Sequence, residues 1–286
     1  MYRDCDHLVD DLHVYTIRGN WKDEETMLLV KPVYERNNIS EPFKKIVDRK
    51  GIDGENLAWI NPQNYKHISC KGINAENYSG CDVWDCMVNT LIQIGIDESN
   101  IGLFGSKRLG FSNCKDEDFI VYGKENMKLL HSRMDEFKRL AGLYNHTVAH
   151  AAYQAETHGE FFDKERNDLL FCLLNKWSTC AFTDKLTSTI RFVDETDMTG
   201  ELMKHYFYDL NLESECTVQG FVTEAEGTSF MPRRFNLNTD DGIVEVITPL
   251  WIFHQCVKEN DLVRVTGCMV EGKLIVRGYN HGIKFV

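Results

Sequence analysis

Ile101-Gly102-Leu103-Phe104-Gly105-Ser106 and, a little further on, Asp116-Glu117-Asp118-Phe119-Ile120-Val121-Tyr122 decide how the rest of the chain is read. The first run is short and apolar and ends in Gly-Ser. The second begins with two acids two residues apart and continues as an apolar, β-branched and aromatic strand. Alternate side chains of a strand share a face. Asp116 and Asp118 therefore project together, with Glu117 turned away. Adjacent carboxylates repel unless a cation lies between them. Mg²⁺ suits such a pair, because it takes oxygen ligands and keeps positions for water and phosphate. Gly105 lets backbone approach a ligand closely, and Ser106 offers a hydroxyl and an N–H. A helix opening over Ser106–Leu109 would turn free N–H groups toward an anion, with Lys107 and Arg108 adding positive charge. The plainer alternative is a polar turn between two buried strands, where Gly, Ser, Asn and Asp are common.

The surroundings narrow the choice. Residues 82–95 carry Val83, Trp84, Met87, Leu91 and Ile94 near helical spacing. Residues 124–142 place Met127, Leu130, Met134, Phe137 and Leu140 on one helical face. Ser188–Val193 reads as a later strand with Thr189 facing inward, flanked by Asp184, Asp194 and Glu195. A Gly-Ser pair that closes one strand, a gap, and then Asp-x-Asp on an apolar strand resembles the signature of the DNA polymerase β-like nucleotidyltransferase superfamily. The resemblance implies that Gly105, Ser106, Lys107 and Arg108 hold the triphosphate of an NTP or dNTP such as ATP. It implies that Asp116 and Asp118 are catalytic and bind Mg²⁺ or Mn²⁺, and that an acceptor hydroxyl displaces pyrophosphate. This sequence departs from the family at Glu117, where an apolar residue is usual, and in having no assignable third carboxylate. The overall layout is similar, more loosely, to the nucleotidyltransferases of Hailong anti-phage defence systems. That likeness implies template-independent extension of short single-stranded oligonucleotides, a role in antiviral defence and a partner effector protein. A nucleotide sensor that turns nothing over, and a toxin-like enzyme that modifies a protein or tRNA, stay open.

With 286 residues the chain has room for two domains or one large one. Its formal net charge of −12 disfavours a stable grip on a long duplex, which calls for a basic face. A nucleotide, a short oligonucleotide or a protein hydroxyl fits that charge better. No apolar run approaches the ~20 residues of a membrane span, and the opening Met1–Asp6 has no apolar signal core. A cytoplasmic location is expected. The ten cysteines form no C-x₂-C pair and read as reduced, buried thiols.

Residues 1–80 are expected to form a β-rich region. His13–Ile17, Thr26–Tyr34 and Tyr65–Cys70 read as strands, and Phe43–Val47 as a short helix. Lys31, Lys44, Lys45, Arg49 and Lys50 read as a solvated basic face. In 81–210, the nucleotidyltransferase core, two further helices are expected over 160–177 and 199–208. His146 and His150 stand on a helix face without the His-Glu-x-x-His pattern of a zinc site. Lys164, Arg166, Lys176 and Lys185 are candidate phosphate contacts. Residues 211–286 alternate like a small barrel, with strands at 218–222, 243–247, 262–270 and 273–277. They are weakly similar to OB-like barrels. Arg233, Arg234, Phe235, Trp251, Phe253 and Tyr279 could form a platform for single-stranded nucleic acid or simply pack a core. The expected class is α+β: a mixed-sheet core with helices, between a β-rich front and a β-barrel-like tail.

Overall fold

The computed structural model describes residues 1–22, 27–46, 57–72, 82–110, 117–145, 147–152, 166–181, 187–209, 215–250, 253–277 and 281–286. The fold is mixed α+β, and three sheets follow one another along the chain.

The first sheet holds β1 (His7–Val9), β2 (His13–Ile17), β3 (Leu28–Glu35), β4 (Lys44–Lys45), β5 (Ala58–Ile60) and β6 (Lys66–Ile68). Its order is β4-β3-β2-β1-β6, with β5 also on β3. Every pairing is antiparallel. Leu8, Ile17, Leu28, Leu29 and Val30 are fully buried and form its core with Trp21. The helix expected over Phe43–Val47 is instead the edge strand β4, paired Tyr34 to Lys45. A single isolated turn has little to bury, whereas the free edge of β3 supplies backbone partners.

The second sheet is built from α1 (Asp82–Gln93), β7 (Ile101–Phe104), α2 (Gly105–Arg108), β8 (Glu117–Tyr122), α3 (Lys124–Ser132), α4 (Met134–Leu140), β9 (Tyr144–Asn145), α5 (Arg166–Leu174), β10 (Thr179–Ala181) and β11 (Thr187–Val193). Its order is β7-β8-β11-β10-β9, and only β8–β11 is parallel. One face carries Leu103, Phe119, Val121, Ile190 and Phe192, packed against Met87, Leu91 and Ile94 of the α1 region and Leu130 and Phe137 of α3 and α4. The single helix expected over 124–142 breaks at Arg133, whose φ/ψ of −115°/17° leaves the helical region. There the guanidinium donates to Ile94 O at 2.7 Å. The described part of the helix expected over 160–177 is α5, whose Cys172 and Leu173 pack into the third sheet's core, not the second's.

Next come α6 (Gly200–Lys204) and its π-helical continuation His205–Asp209, whose Met203, Tyr206 and Phe207 return to the first sheet's core. The third sheet comprises β12 (Glu215–Glu224), β13 (Arg233–Thr239), β14 (Gly242–Thr248), β15 (Leu262–Val270), β16 (Lys273–Ile275) and β17 (Gly282–Phe285). Five strands close as β12-β13-β14-β16-β15 and back to β12, with β17 added on β15. Among the described residues no helix is long and apolar enough to cross a membrane. Eight described cysteines are free thiols.

Candidate functional site

The face of the second sheet opposite its helices positions the predicted residues. Cα pairing sets Asp118 of β8 between Phe104 of β7 and Thr189 of β11. Paired residues share a face, so these three side chains form one row. The next row is Gly102, Ile120 and Arg191. Gly105 follows Phe104 immediately, with φ +72°, a left-handed conformation that favours glycine. A Cβ placed there would stand 3.9 Å from Asp118 Oδ2. The Gly-Ser turn and the second aspartate therefore meet. Asp116 lies outside the described residues, as does the side chain of Lys107. The helix after the turn, α2, is a single turn of four residues, too short to build up a terminal dipole.

The first sheet closes over this face. Leu103 N donates to Cys70 O and Gly72 N to Ile101 O, both at 3.0 Å. Gly102 permits this docking: a Cβ there would sit 2.2 Å from Cys70 O. Arg108, an expected phosphate ligand, is turned to the same seam. Its Nε and Nη2 both donate to Ser69 O, at 2.8 and 2.5 Å. Arg108 thus ties two sheets together. The His7 ring stacks on Phe104 with centroids 5.4 Å apart. Burial pushes its imidazole down to about 4, so it stays neutral near pH 7.

Among the described residues the flanking acids supply no third carboxylate beside Asp118. Thr189 occupies the facing position. Glu195 lies beyond the other end of β11 and pairs with Arg3 and Lys71. Burial would raise its carboxyl, but the hydrogen bonds from Lys71 and Arg3 prevail and hold it below the usual range. Asp194 accepts from Thr196 N and Oγ1 at 3.1 and 2.7 Å. Asp184 lies outside the described residues. Among the described residues no group of three or more His, Cys, Asp or Glu is placed to hold a metal. Asp118 and the facing Thr189 offer oxygen donors of the kind that Mg²⁺ or Mn²⁺ takes.

A cavity of about 230 Å³ lies at the opposite end of β8 and β11, where Asp4 and Asn20 of the first sheet region meet Asp194, Glu224 and Arg234. It does not touch Asp118. Arg234 is paired with Asp197. Of the two readings open for the barrel's aromatic and basic residues, packing holds for Phe235, Phe253 and Arg233. Phe235, Phe253 and Arg233 are buried at 2%, 1% and 7% exposure, so they pack the interior. Trp251 and Tyr279 fall outside the described residues, as do Lys164, Lys185 and His146. His150 Nδ1 is 2.8 Å from Thr147 Oγ1, and Lys176 is buried. Arg191 is the site residue that the sequence pattern passed over. Its only signal was its position two residues beyond Thr189.

Comparison with protein-family models, curated proteins and solved structures finds no match to this chain.

Proposed function

We propose that this chain is a metal-dependent nucleotidyltransferase of the polymerase β-like kind. It moves a nucleoside monophosphate from an NTP or dNTP to a hydroxyl acceptor. The acceptor oxygen bonds to the α-phosphorus, the bond to the β-phosphate oxygen breaks, and pyrophosphate leaves while the hydroxyl proton passes to solvent. One observation carries the reading: the Gly105 turn stands against the Asp118 carboxylate, 3.9 Å from Oδ2 to the position of an added Cβ. Asp116 and Asp118 would hold Mg²⁺ or Mn²⁺, which neutralises phosphate charge. Ser106 grips the phosphates, and the open Cα of Gly105 leaves them room. Catalysis of this kind is mostly positioning and charge stabilisation. The net charge of −12 favours a small or short acceptor. Short oligonucleotide extension without a template, in anti-phage defence, is the narrower form of the proposal.

A second reading is a nucleotide sensor. It is favoured by Thr189 facing Asp118, which leaves no described carboxylate besides Asp118 there to deprotonate the acceptor. The test is incubation with each labelled NTP and dNTP plus Mg²⁺ or Mn²⁺, following pyrophosphate release. Asp116→Ala and Asp118→Ala should each abolish release with the fold intact by circular dichroism. Undiminished release in both variants would refute the enzyme assignment. Tight nucleotide binding without release would select the sensor.

A further inference from the structure

Arg191 is rooted beside Ile120, one row from Asp118 and on the same face. Its guanidinium carbon lies 4.2 Å from the centre of the Phe104 ring. Phe104 shares a row with Asp118 and directly precedes Gly105. The side chain therefore crosses β8 and brings its charge toward the Gly105 turn. Its Nε is buried and has no hydrogen-bond acceptor among the described residues.

The neighbouring cations are differently placed. Arg108 is engaged by Ser69 O, and Arg3 and Lys71 by Glu195. Among the described residues Arg191 meets an aromatic face and no carboxylate. A ring face offsets part of the cost of drying a cation. A buried guanidinium N–H without an acceptor remains unfavourable. A planar fork of donors matches non-bridging phosphate oxygens better than any other side chain does.

We infer that Arg191 binds the polyphosphate of the incoming nucleotide, in the role the sequence suggested for Arg108. This rests on the nucleotidyltransferase reading for the identity of the anion. Arg191 and the Gly105–Ser106 turn take the β- and γ-phosphates from two sides, and Phe104 holds the guanidinium flat between them. The ligand class is a linear polyphosphate, not a monophosphate, because the turn and the guanidinium are reached from different strands.

Isothermal titration of the whole chain with Mg-ATP and, separately, inorganic triphosphate tests this without requiring turnover. Arg191→Gln should weaken both by about ten- to a hundredfold, the loss of one charged hydrogen-bonding partner. Binding of AMP should change little. Arg191→Lys keeps the charge but loses the fork, and should recover only part of the affinity. It also decides the matter if Arg191→Gln does not fold. Wild-type affinity for triphosphate in a folded variant overturns the inference, and would mean that Arg191 serves only to pack against Phe104. Absence of any triphosphate binding by the wild-type chain overturns it too. Arg191-dependent triphosphate binding with no pyrophosphate release from any NTP would keep the inference and sink the transferase reading. Transfer with an unchanged KM in Arg191→Gln would do the reverse.

Discussion

At the scale of single residues, the proposed transferase reading turns on Thr189. It faces Asp118 across the parallel pair β8–β11, where a third carboxylate would share the metal and take the acceptor's proton. A hydroxyl at this position binds a cation weakly and is no base near neutral pH. Thr189→Asp is therefore expected to raise the rate of pyrophosphate release by about tenfold or more, the lower range of general-base effects being larger still. The same substitution adds a negative charge beside Asp118 and should lower stability in metal-free buffer. Mg²⁺ should restore that loss, so the gain in Tm on adding Mg²⁺ should be larger in the variant than in the wild type. An unchanged rate together with an unchanged Mg²⁺ response would place position 189 away from the reacting centre.

At the scale of elements, the site depends on how the first sheet is seated on β7. Gly102 permits this, because a Cβ there would stand 2.2 Å from Cys70 O and 2.9 Å from the Tyr122 ring. Gly102→Val forces the segment after β6 away from β7, at a cost of about 1–3 kcal/mol from overpacking. The urea midpoint should fall accordingly, and Arg108 should lose its hold on Ser69. A midpoint equal to wild type would refute the docking as the source of stability here. Strands that bury one face were legible from alternation: β2 and β15 have the bounds the pattern gave, His13–Ile17 and Leu262–Val270. β13 was not, because Arg233 occupies a buried alternate position ahead of Phe235 and Leu237, and a buried arginine breaks an apolar pattern. β4 was misread because only Lys44 and Lys45 pair with β3, too short a run to show alternation. In the site, the Gly-Ser turn and Asp118 could be read from residue types and order. The engagement of Arg108 could not, since Ser69 lies 39 residues away. Periodicity put Arg191 on a face but carried no information on how far its side chain reaches.

At the scale of the whole molecule, the seams between the three sheets bury groups that would rather be charged, and this sets a pH dependence. His7 opens β1, with its ring against Phe104 of the second sheet, and is pushed by burial from 6.5 to about 4. His254 is driven well below 6.5 by burial and then by Arg233, Lys176 and Arg191. Between about pH 6.5 and 4 the unfolded chain takes up protons at these rings that the folded chain refuses. Stability therefore falls as pH is lowered through that window, by up to about 1.36 kcal/mol per pH unit for each ring. Lys176 is lowered by burial from 10.5 to about 7, so above pH 7 the unfolded state again binds the extra proton and stability rises with pH. Buried thiols act in the opposite sense. Burial raises Cys180 from 9.0 to about 11, and Cys5 and Cys70 also rise. The unfolded chain then loses protons above pH 9 that the folded chain retains, and stability declines. The urea midpoint should accordingly peak between about pH 8 and 9 and fall on both sides. His254→Phe should flatten the acid limb, and Lys176→Met should flatten the rise above pH 7 while raising the midpoint at neutrality. A midpoint that stays level from pH 4 to 8 in the wild type would mean that water or charge partners reach these rings and this amine, and that the seams are not dry.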